Sequence, residues 1–256
     1  MGKIDTVTRT FRQSGVRGVT RLALRKLSLG TGAGVEIHPQ DEYLDWLCFA
    51  NAGMLHRGNA YCIEHALKNL PSANPVLEIG SFCGLSTNII SYYMKKHGVT
   101  NKLITCDKWQ FEGAEKGGNI GESGISRDEY RTFVRDTFMR NVRMFSRAGL
   151  PNTVEMFSDE LFTAWREGKE LDDVFGRPVQ LGGALSFCYI DGNHSYDFVR
   201  RDFVNCHEHL DRSGFLLFDD SADGSGWDVC SVVDEVRRSG DYELVARNPN
   251  YLFRKK

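Results

Sequence analysis

Three aspartates and a histidine carry the strongest chemical signal in the chain. Asp191 and His194 lie in Tyr189-Ile190-Asp191-Gly192-Asn193-His194-Ser195-Tyr196, and Asp219 and Asp220 in Leu217-Phe218-Asp219-Asp220-Ser221. Each motif closes an apolar run of the kind that forms a buried strand. Neighbouring strands lie ~4.8 Å apart, so adjacent strand ends would crowd three carboxylates onto one rim. Like charges that close are costly unless a cation sits between them. Oxygen ligands without a Cys or His cluster favour Mg2+, with Mn2+ or Ca2+ as substitutes. Taken singly, each acid could instead cap a helix or a loop. That plainer reading accounts for each residue but not for three at adjacent strand ends.

A second constellation lies earlier, in Val76-Leu77-Glu78-Ile79-Gly80-Ser81-Phe82-Cys83-Gly84-Leu85-Ser86-Thr87. It has the order of a strand, a glycine turn and a helix start. Gly80 permits the tight turn and Gly84 lets backbone approach a ligand closely. Ser86, near the N-terminus of the new helix, can help its free N–H groups hold a carboxylate. The pattern is neither the Gly-x-Gly-x-x-Gly of dinucleotide-binding folds nor a phosphate loop with Gly-Lys-Ser/Thr. Asp107, at the end of the next apolar run, is placed to bind two ribose hydroxyls. An acid there, with a loop lacking phosphate-cradling glycines, points to a nucleoside ligand without a pyrophosphate, and S-adenosylmethionine fits that description. A structural turn followed by an ordinary strand-end Asp is the bland alternative.

The elements that must position these residues read as repeated strand–helix units. Strands are expected at 76–79, 102–106, 153–157, 185–190 and 215–218. Helices are expected at 86–96, 127–148, from 161 to 166, 196–210 and 229–238. The helix at 127–148 takes its apolar spacing from Tyr130, Phe133, Phe138, Val142 and Phe145. The segments 242–246 and 251–254, separated by Arg247-Asn248-Pro249-Asn250, read as a closing hairpin. Such alternation implies a mostly parallel sheet covered on both faces, with ligands outside the carboxyl ends of the strands. Upstream, 41–70 reads as a helical region ended by Pro71 and Pro75, and the glycine-rich stretch 113–124 as a mobile loop.

Composition bounds the remaining choices. The chain has 256 residues, and 32 Lys and Arg against 34 Asp and Glu leave a net charge of −2. There is thus no global basic field of the kind that binds nucleic acid. No apolar run approaches the ~20 residues of a membrane-spanning helix. The seven cysteines are scattered and never form Cys-x-x-Cys, which suits reduced thiols in a cytoplasmic protein rather than a disulfide framework. Residues 1–35 form a basic arm, with Arg9, Arg12, Arg17, Arg21, Arg25 and Lys26 against the single acid Asp5. A solvated arm or packing helix explains it; transit-peptide and myristoylation patterns match it only loosely.

The motif Glu78 to Thr87 resembles the first motif of class I S-adenosylmethionine-dependent methyltransferases. Within them it is similar to the metal-dependent small-molecule O-methyltransferases of the catechol and macrolide-sugar types. The resemblance covers roughly residues 75–220. It implies a Rossmann-like α/β fold, with a mostly parallel sheet, a C-terminal antiparallel hairpin and an N-terminal helical cap. Glu78, Gly80, Ser81, Gly84, Ser86, Asp107, Ser158 and Asp191 would line the cofactor, with Ser158 at the adenine. Asp191, Asp219 and Asp220 would hold the metal, and His194 stands where such enzymes carry their base, with Asp191 beside it. A bound cation acidifies a hydroxyl, and a histidine can then take its proton near neutral pH.

The sequence is thus expected to divide into the arm at 1–35, a cap and substrate region at 36–74 and a methyltransferase domain at 75–256. The expected reaction is Mg2+-dependent methyl transfer from S-adenosylmethionine to a hydroxyl of a small molecule. A sugar or glycosylated metabolite is preferred over a catechol, because His stands at the base position and the last ligand is Asp rather than Asn. An NAD-binding oxidoreductase and a non-catalytic nucleoside-binding module of the same fold are the alternatives. The missing third glycine speaks against the first and the intact acids against the second. Oligomeric state stays open, a homo-oligomer included.

Overall fold

Asn51 and Gly53 divide the expected helical region at 41–70 into two helices, α1 (Glu42–Ala50) and α2 (Arg57–Lys68). Asp41 caps α1 by accepting hydrogen bonds from the backbone N–H groups of Tyr43 and Leu44, and His56 Nδ1 caps α2 by accepting from Gly58. The computed structural model describes residues 36–111 and 117–256. The basic arm at 1–35 and residues 112–116 of the glycine-rich stretch therefore lie outside the described residues.

Beyond the cap the chain alternates as expected. It runs through β1 (Val76–Ile79), α3 (Leu85–Lys96), β2 (Leu103–Cys106), α4 (Arg127–Phe145), β3 (Asn152–Val154) and α5 (Ser158–Arg166). A two-stranded ribbon that the sequence did not announce follows, β4 (Glu170–Asp172) with β5 (Pro178–Gln180). Then come β6 (Leu185–Ile190), α6 (Tyr196–His209), β7 (Leu210–Phe218), α7 (Val229–Ser239) and the closing hairpin β8 (Tyr242–Arg247) and β9 (Tyr251–Lys255). The main sheet has the order β3-β2-β1-β6-β7-β9-β8. β1, β2, β3, β6 and β7 are mutually parallel, and β9 is antiparallel to both β7 and β8.

Strand periodicity sorts the core into two layers. Leu77, Ile79, Cys188, Ile190, Leu216 and Phe218 face α5, α6 and α7. Val76, Phe187, Tyr189, Phe215, Leu217 and Leu252 face the opposite layer, where α1, α2 and α3 supply Leu44, Leu47, Ile63, Leu67, Ile89 and Tyr93. The cap thus seals one face of the sheet. Residues 37–256 form one compact unit.

Two local expectations are corrected. Strand β3 is shorter than 153–157, because Phe157 opens α5 and Glu160 closes back onto its N–H group. In α4 the buried stripe is Val134, Phe138 and Val142, spaced by four residues, and Phe133 is 62% exposed on the outer side. Among the described residues no helix is long and apolar enough to cross a membrane, and all seven cysteines are free.

Candidate active site

The glycine turn after β1 is shaped by what crosses it. Gly80 has φ +86°, and a Cβ there would lie 2.0 Å from the carbonyl oxygen of Asp191. Glycine at this position therefore lets the ends of β1 and β6 meet. Gly84, at φ +89°, begins α3 without a side-chain cap, so the first-turn N–H groups face the end of the sheet without a competing acceptor from the cap residue. Its backbone packs on Phe138 and Val142 of α4. The carbonyl of Cys83 accepts from Asn51 at 3.1 Å and Asn141 at 2.8 Å. The cap and α4 thus both hold the turn in place.

Asp107 stands at the end of β2 as expected. Its Oδ2 accepts from the N–H groups of Ser81 (2.8 Å) and Phe82 (2.9 Å), and its Oδ1 from Trp109 (2.6 Å). Oδ1 keeps one acceptor position. Burial raises this carboxyl against the opposing pull of those N–H groups. Trp109 is buried, donates its indole N–H to the Phe82 carbonyl and packs on Phe138, so it belongs to the core beneath the turn.

Glu78 is fully buried in β1, two residues before Gly80. Its Oε2 accepts from the hydroxyls of Ser81 and Thr87, and the Ser86 hydroxyl also bears on it. Ser86 is thus turned inward to Glu78. Oε1 is buried with no hydrogen-bond partner among the described residues. Burial raises this carboxyl to about 7, with the hydroxyls pulling it down and Asp107 pushing it up. An unpartnered buried carboxylate oxygen beside a glycine turn is suited to a ligand cation. Ser158 opens α5, and its hydroxyl bears on Asp202 of α6, a buried acid raised to about 7 chiefly by desolvation.

The acidic rim forms where β6 and β7 end side by side, with Ile190 opposite Phe218. Asp219 is buried and richly bonded. Its Oδ1 accepts from Asn59 Nδ2 (2.7 Å), Asn250 Nδ2 (2.5 Å) and the N–H of Asp220 (2.8 Å). Its Oδ2 accepts from the Tyr189 hydroxyl at 2.7 Å, which also lies 3.3 Å from Asp191 Oδ2. Stripping one donor from so buried an acceptor costs at least ~1–3 kcal/mol. Desolvation, then repulsion from Asp219, Glu78 and Asp220, holds the Asp191 carboxyl well above the usual range. Asp220 takes φ +48° and is also raised, by desolvation and Asp219 against the pull of His194.

His194 joins this rim. Its Nε2 lies 3.2 Å from Asp220 Oδ2 and 3.9 Å from Asp191 Oδ1, and is not aligned for a hydrogen bond with either. Its ring packs 4.9 Å from that of the partly exposed Trp227. The expected residues therefore fall into two adjoining groups. Glu78, Gly80, Ser81, Gly84 and Asp107 surround the turn, while Asp191, His194, Asp219 and Asp220 form the rim. Ser158 stands apart, at the start of α5. Tyr189, Asn59 and Asn250 were not expected. The sequence signal for Asn59 is a lone amide in the buried run Gly58, Asn59, Ala60, Cys62 and Ile63 of α2.

The donor set suits a hard cation in its chemistry. Three carboxylates repel one another on one rim, and Asp219 keeps spare acceptor capacity only on Oδ2. Among the described residues, however, no three His, Cys, Asp or Glu side chains converge as a metal-binding group.

A family model described as a methyltransferase domain matches residues 77–221, more than half of the chain. Similar solved structures include a putative O-methyltransferase from Klebsiella pneumoniae, at 11% identity over 91% of this chain and 94% of that one, with a TM-score of 0.53. The SAH-bound Podospora anserina methyltransferase PaMTH1 is 12% identical over 94% and 96%, with a TM-score of 0.53. CalS11, a TDP-rhamnose 3'-O-methyltransferase in calicheamicin biosynthesis, is 12% identical over 92% and 94%, with a TM-score of 0.50. At these identities the likeness is one of fold. No curated protein matches the sequence at a significant level. With a glycine turn, a strand-end acid and a seven-stranded sheet of this order beneath them, the chain belongs to the methyltransferase domain family and is an S-adenosylmethionine-dependent methyltransferase.

Proposed function

We propose that the protein transfers the methyl group of S-adenosylmethionine to a hydroxyl oxygen of a small molecule, with a divalent cation at the acidic rim. The observation that carries this reading is the meeting of His194, Asp191 and Asp220 at the ends of β6 and β7, next to the turn at Gly80. The cofactor would be held by this chain's own groups. Glu78 Oε1 takes the ammonium, the first turn of α3 the carboxylate and Asp107 Oδ1 a ribose hydroxyl, with Ser158 toward the adenine. The acceptor hydroxyl is delivered beside His194, which takes its proton. The oxygen forms the new bond to carbon as the S–CH3 bond breaks, and its electron pair stays on sulfur to give S-adenosylhomocysteine. The imidazolium so formed is stabilised by Asp220 and Asp191 and returns its proton to water.

Mg2+, or Mn2+ or Ca2+ in its place, would be held by Asp191, Asp220 and Asp219 Oδ2 and would acidify the acceptor hydroxyl. A sugar or glycosylated acceptor is preferred, since His194 rather than a lysine stands as base and Asp220 replaces the asparagine of catechol-type enzymes. The test is transfer of labelled methyl to a panel of sugars, glycosides and catechols, with and without EDTA. The reading expects label on a glycosidic acceptor and its loss in EDTA. Full transfer in EDTA would remove the metal from the account, and label on nitrogen or carbon acceptors alone would remove the hydroxyl.

Glu78 supplies a pH signature. Its carboxyl lies at about 7 in the folded chain against a reference of 4.5, so the folded state binds the proton more tightly. That contribution to stability is present below about 4.5 and declines as pH rises to about 7. Cofactor binding runs the other way, because the ammonium needs the ionised form. Affinity for S-adenosylmethionine is expected to rise roughly tenfold from pH 6 to pH 8, and Glu78→Gln to flatten both trends. Equal affinity at the two pH values, measured calorimetrically, would remove Glu78 from the cofactor site.

A further inference from the structure

A chain of buried polar side chains ties the cap to the glycine turn. Asn51, at the end of α1, donates from Nδ2 to the carbonyls of Cys83 at 3.1 Å and Ala52 at 2.9 Å. Its Oδ1 accepts from Asn88 Nδ2 of α3 at 2.7 Å, and Asn88 Oδ1 accepts from the Ser146 hydroxyl, at the end of α4, at 2.6 Å. Asn51, Asn88 and Ser146 are all buried. From the other side, Asn141 of α4 donates to the same Cys83 carbonyl at 2.8 Å. A Cβ on Gly53 would lie 2.5 Å from Leu85 Cβ, so the segment after Asn51 lies directly on the start of α3.

The turn needs such restraint. Phe82 takes φ +44° and Gly84 φ +89°, and left-handed backbone at a bulky residue persists only where its surroundings over-determine it. Asp107 Oδ2 accepts from the Phe82 N–H and the Trp109 indole donates to the Phe82 carbonyl, each at 2.9 Å. The next peptide unit has its carbonyl, on Cys83, bonded to Asn51 and Asn141, and its N–H, on Gly84, bonded to the Ser81 carbonyl at 2.7 Å. Glycine accepts either sign of φ, so without these bonds that peptide could turn over and redirect the N–H groups that open α3. We infer that Asn51 is a positioning residue for S-adenosylmethionine, clamping the Cys83–Gly84 peptide from the cap so that the first turn of α3 faces the methionine carboxylate. This rests on the placement of that carboxylate proposed above and needs no metal ion. The cap is then part of the cofactor site as well as a cover for the sheet.

The test compares two ligands that share the nucleoside and differ in the amino-acid tail, S-adenosylhomocysteine and 5'-methylthioadenosine, each titrated calorimetrically into the full-length protein. Asn51→Ala is expected to weaken S-adenosylhomocysteine about tenfold, the loss of one net hydrogen bond, while 5'-methylthioadenosine stays within about twofold. The milder Asn51→Ser, which keeps a hydroxyl donor, is expected to fall between wild type and Asn51→Ala. Unchanged S-adenosylhomocysteine affinity in a variant that still binds 5'-methylthioadenosine overturns the positioning role. Equal loss of both ligands in both variants shows a purely structural role and also overturns it. Equally tight binding of the two ligands by the unsubstituted protein is a separate outcome, which removes the carboxylate from the start of α3 and this inference with it.

Discussion

His194→Ala lowers methyl transfer by about 10²–10⁴-fold, the usual contribution of a positioned general base, while S-adenosylmethionine binds within about twofold of wild type. The split follows from geometry. His194 lies on the rim with Asp220 and Asp191, whereas the groups proposed for the cofactor, chiefly Glu78, Asp107 and the start of α3, lie around the glycine turn. Among the described residues no hydrogen bond of that turn passes through the imidazole: Asp107 and Asn141 reach it from β2 and α4. Single-turnover rates supply the second readout, with the chemical step itself slowed in the variant. Undiminished transfer would mean that another group accepts the proton.

Asp191→Asn shows the opposite signs for stability and activity. The backbone of Asp191 is held independently of its side chain, by its N–H bond to the Ile79 carbonyl at 2.8 Å and by its close approach to Gly80. The carboxyl itself is crowded by Asp219, Glu78 and Asp220. Replacing it with a neutral amide of the same shape relieves that repulsion, so the metal-free variant melts higher than wild type by a few degrees. Transfer is expected to fall by on the order of 10²–10³-fold or more, because a group proposed to face the reacting centre has been neutralised. A trade of stability for activity is common at such sites. A lower melting temperature with retained transfer would show that Asp191 is a structural strand-end acid.

The expected sheet, its hairpin and the two adjoining residue groups at its carboxyl edge follow from features that act locally. Strand–helix alternation implies parallel neighbours, and the acids at the ends of β6 and β7 come together because those strands adjoin with Ile190 opposite Phe218. What stayed hidden depends on the third dimension. Leu185–Ile190 is buried at every position, so its apolar run carries no alternation to show that Tyr189 faces the cap. Its hydroxyl meets Asp219 for that reason. Asn250 sits in an Asn-Pro-Asn turn whose residue types are explained by the turn alone, and only the pairing of β9 with β7 brings it to Asp219. Phe133 misled for the converse reason: aromatic spacing suggested a buried face, and the smaller Val134, in a run spaced by four with Phe138 and then Val142, occupies it.

The most direct measurement is calorimetric titration of the purified full-length protein with S-adenosylmethionine and, separately, with NAD, each with and without Mg2+. The account predicts micromolar binding of S-adenosylmethionine with Mg2+ absent, and no heat from NAD. Binding of NAD alone, or of neither ligand, would contradict the placement of a methionine nucleoside at Glu78, Gly80 and Asp107, and with it the proposed transfer at His194.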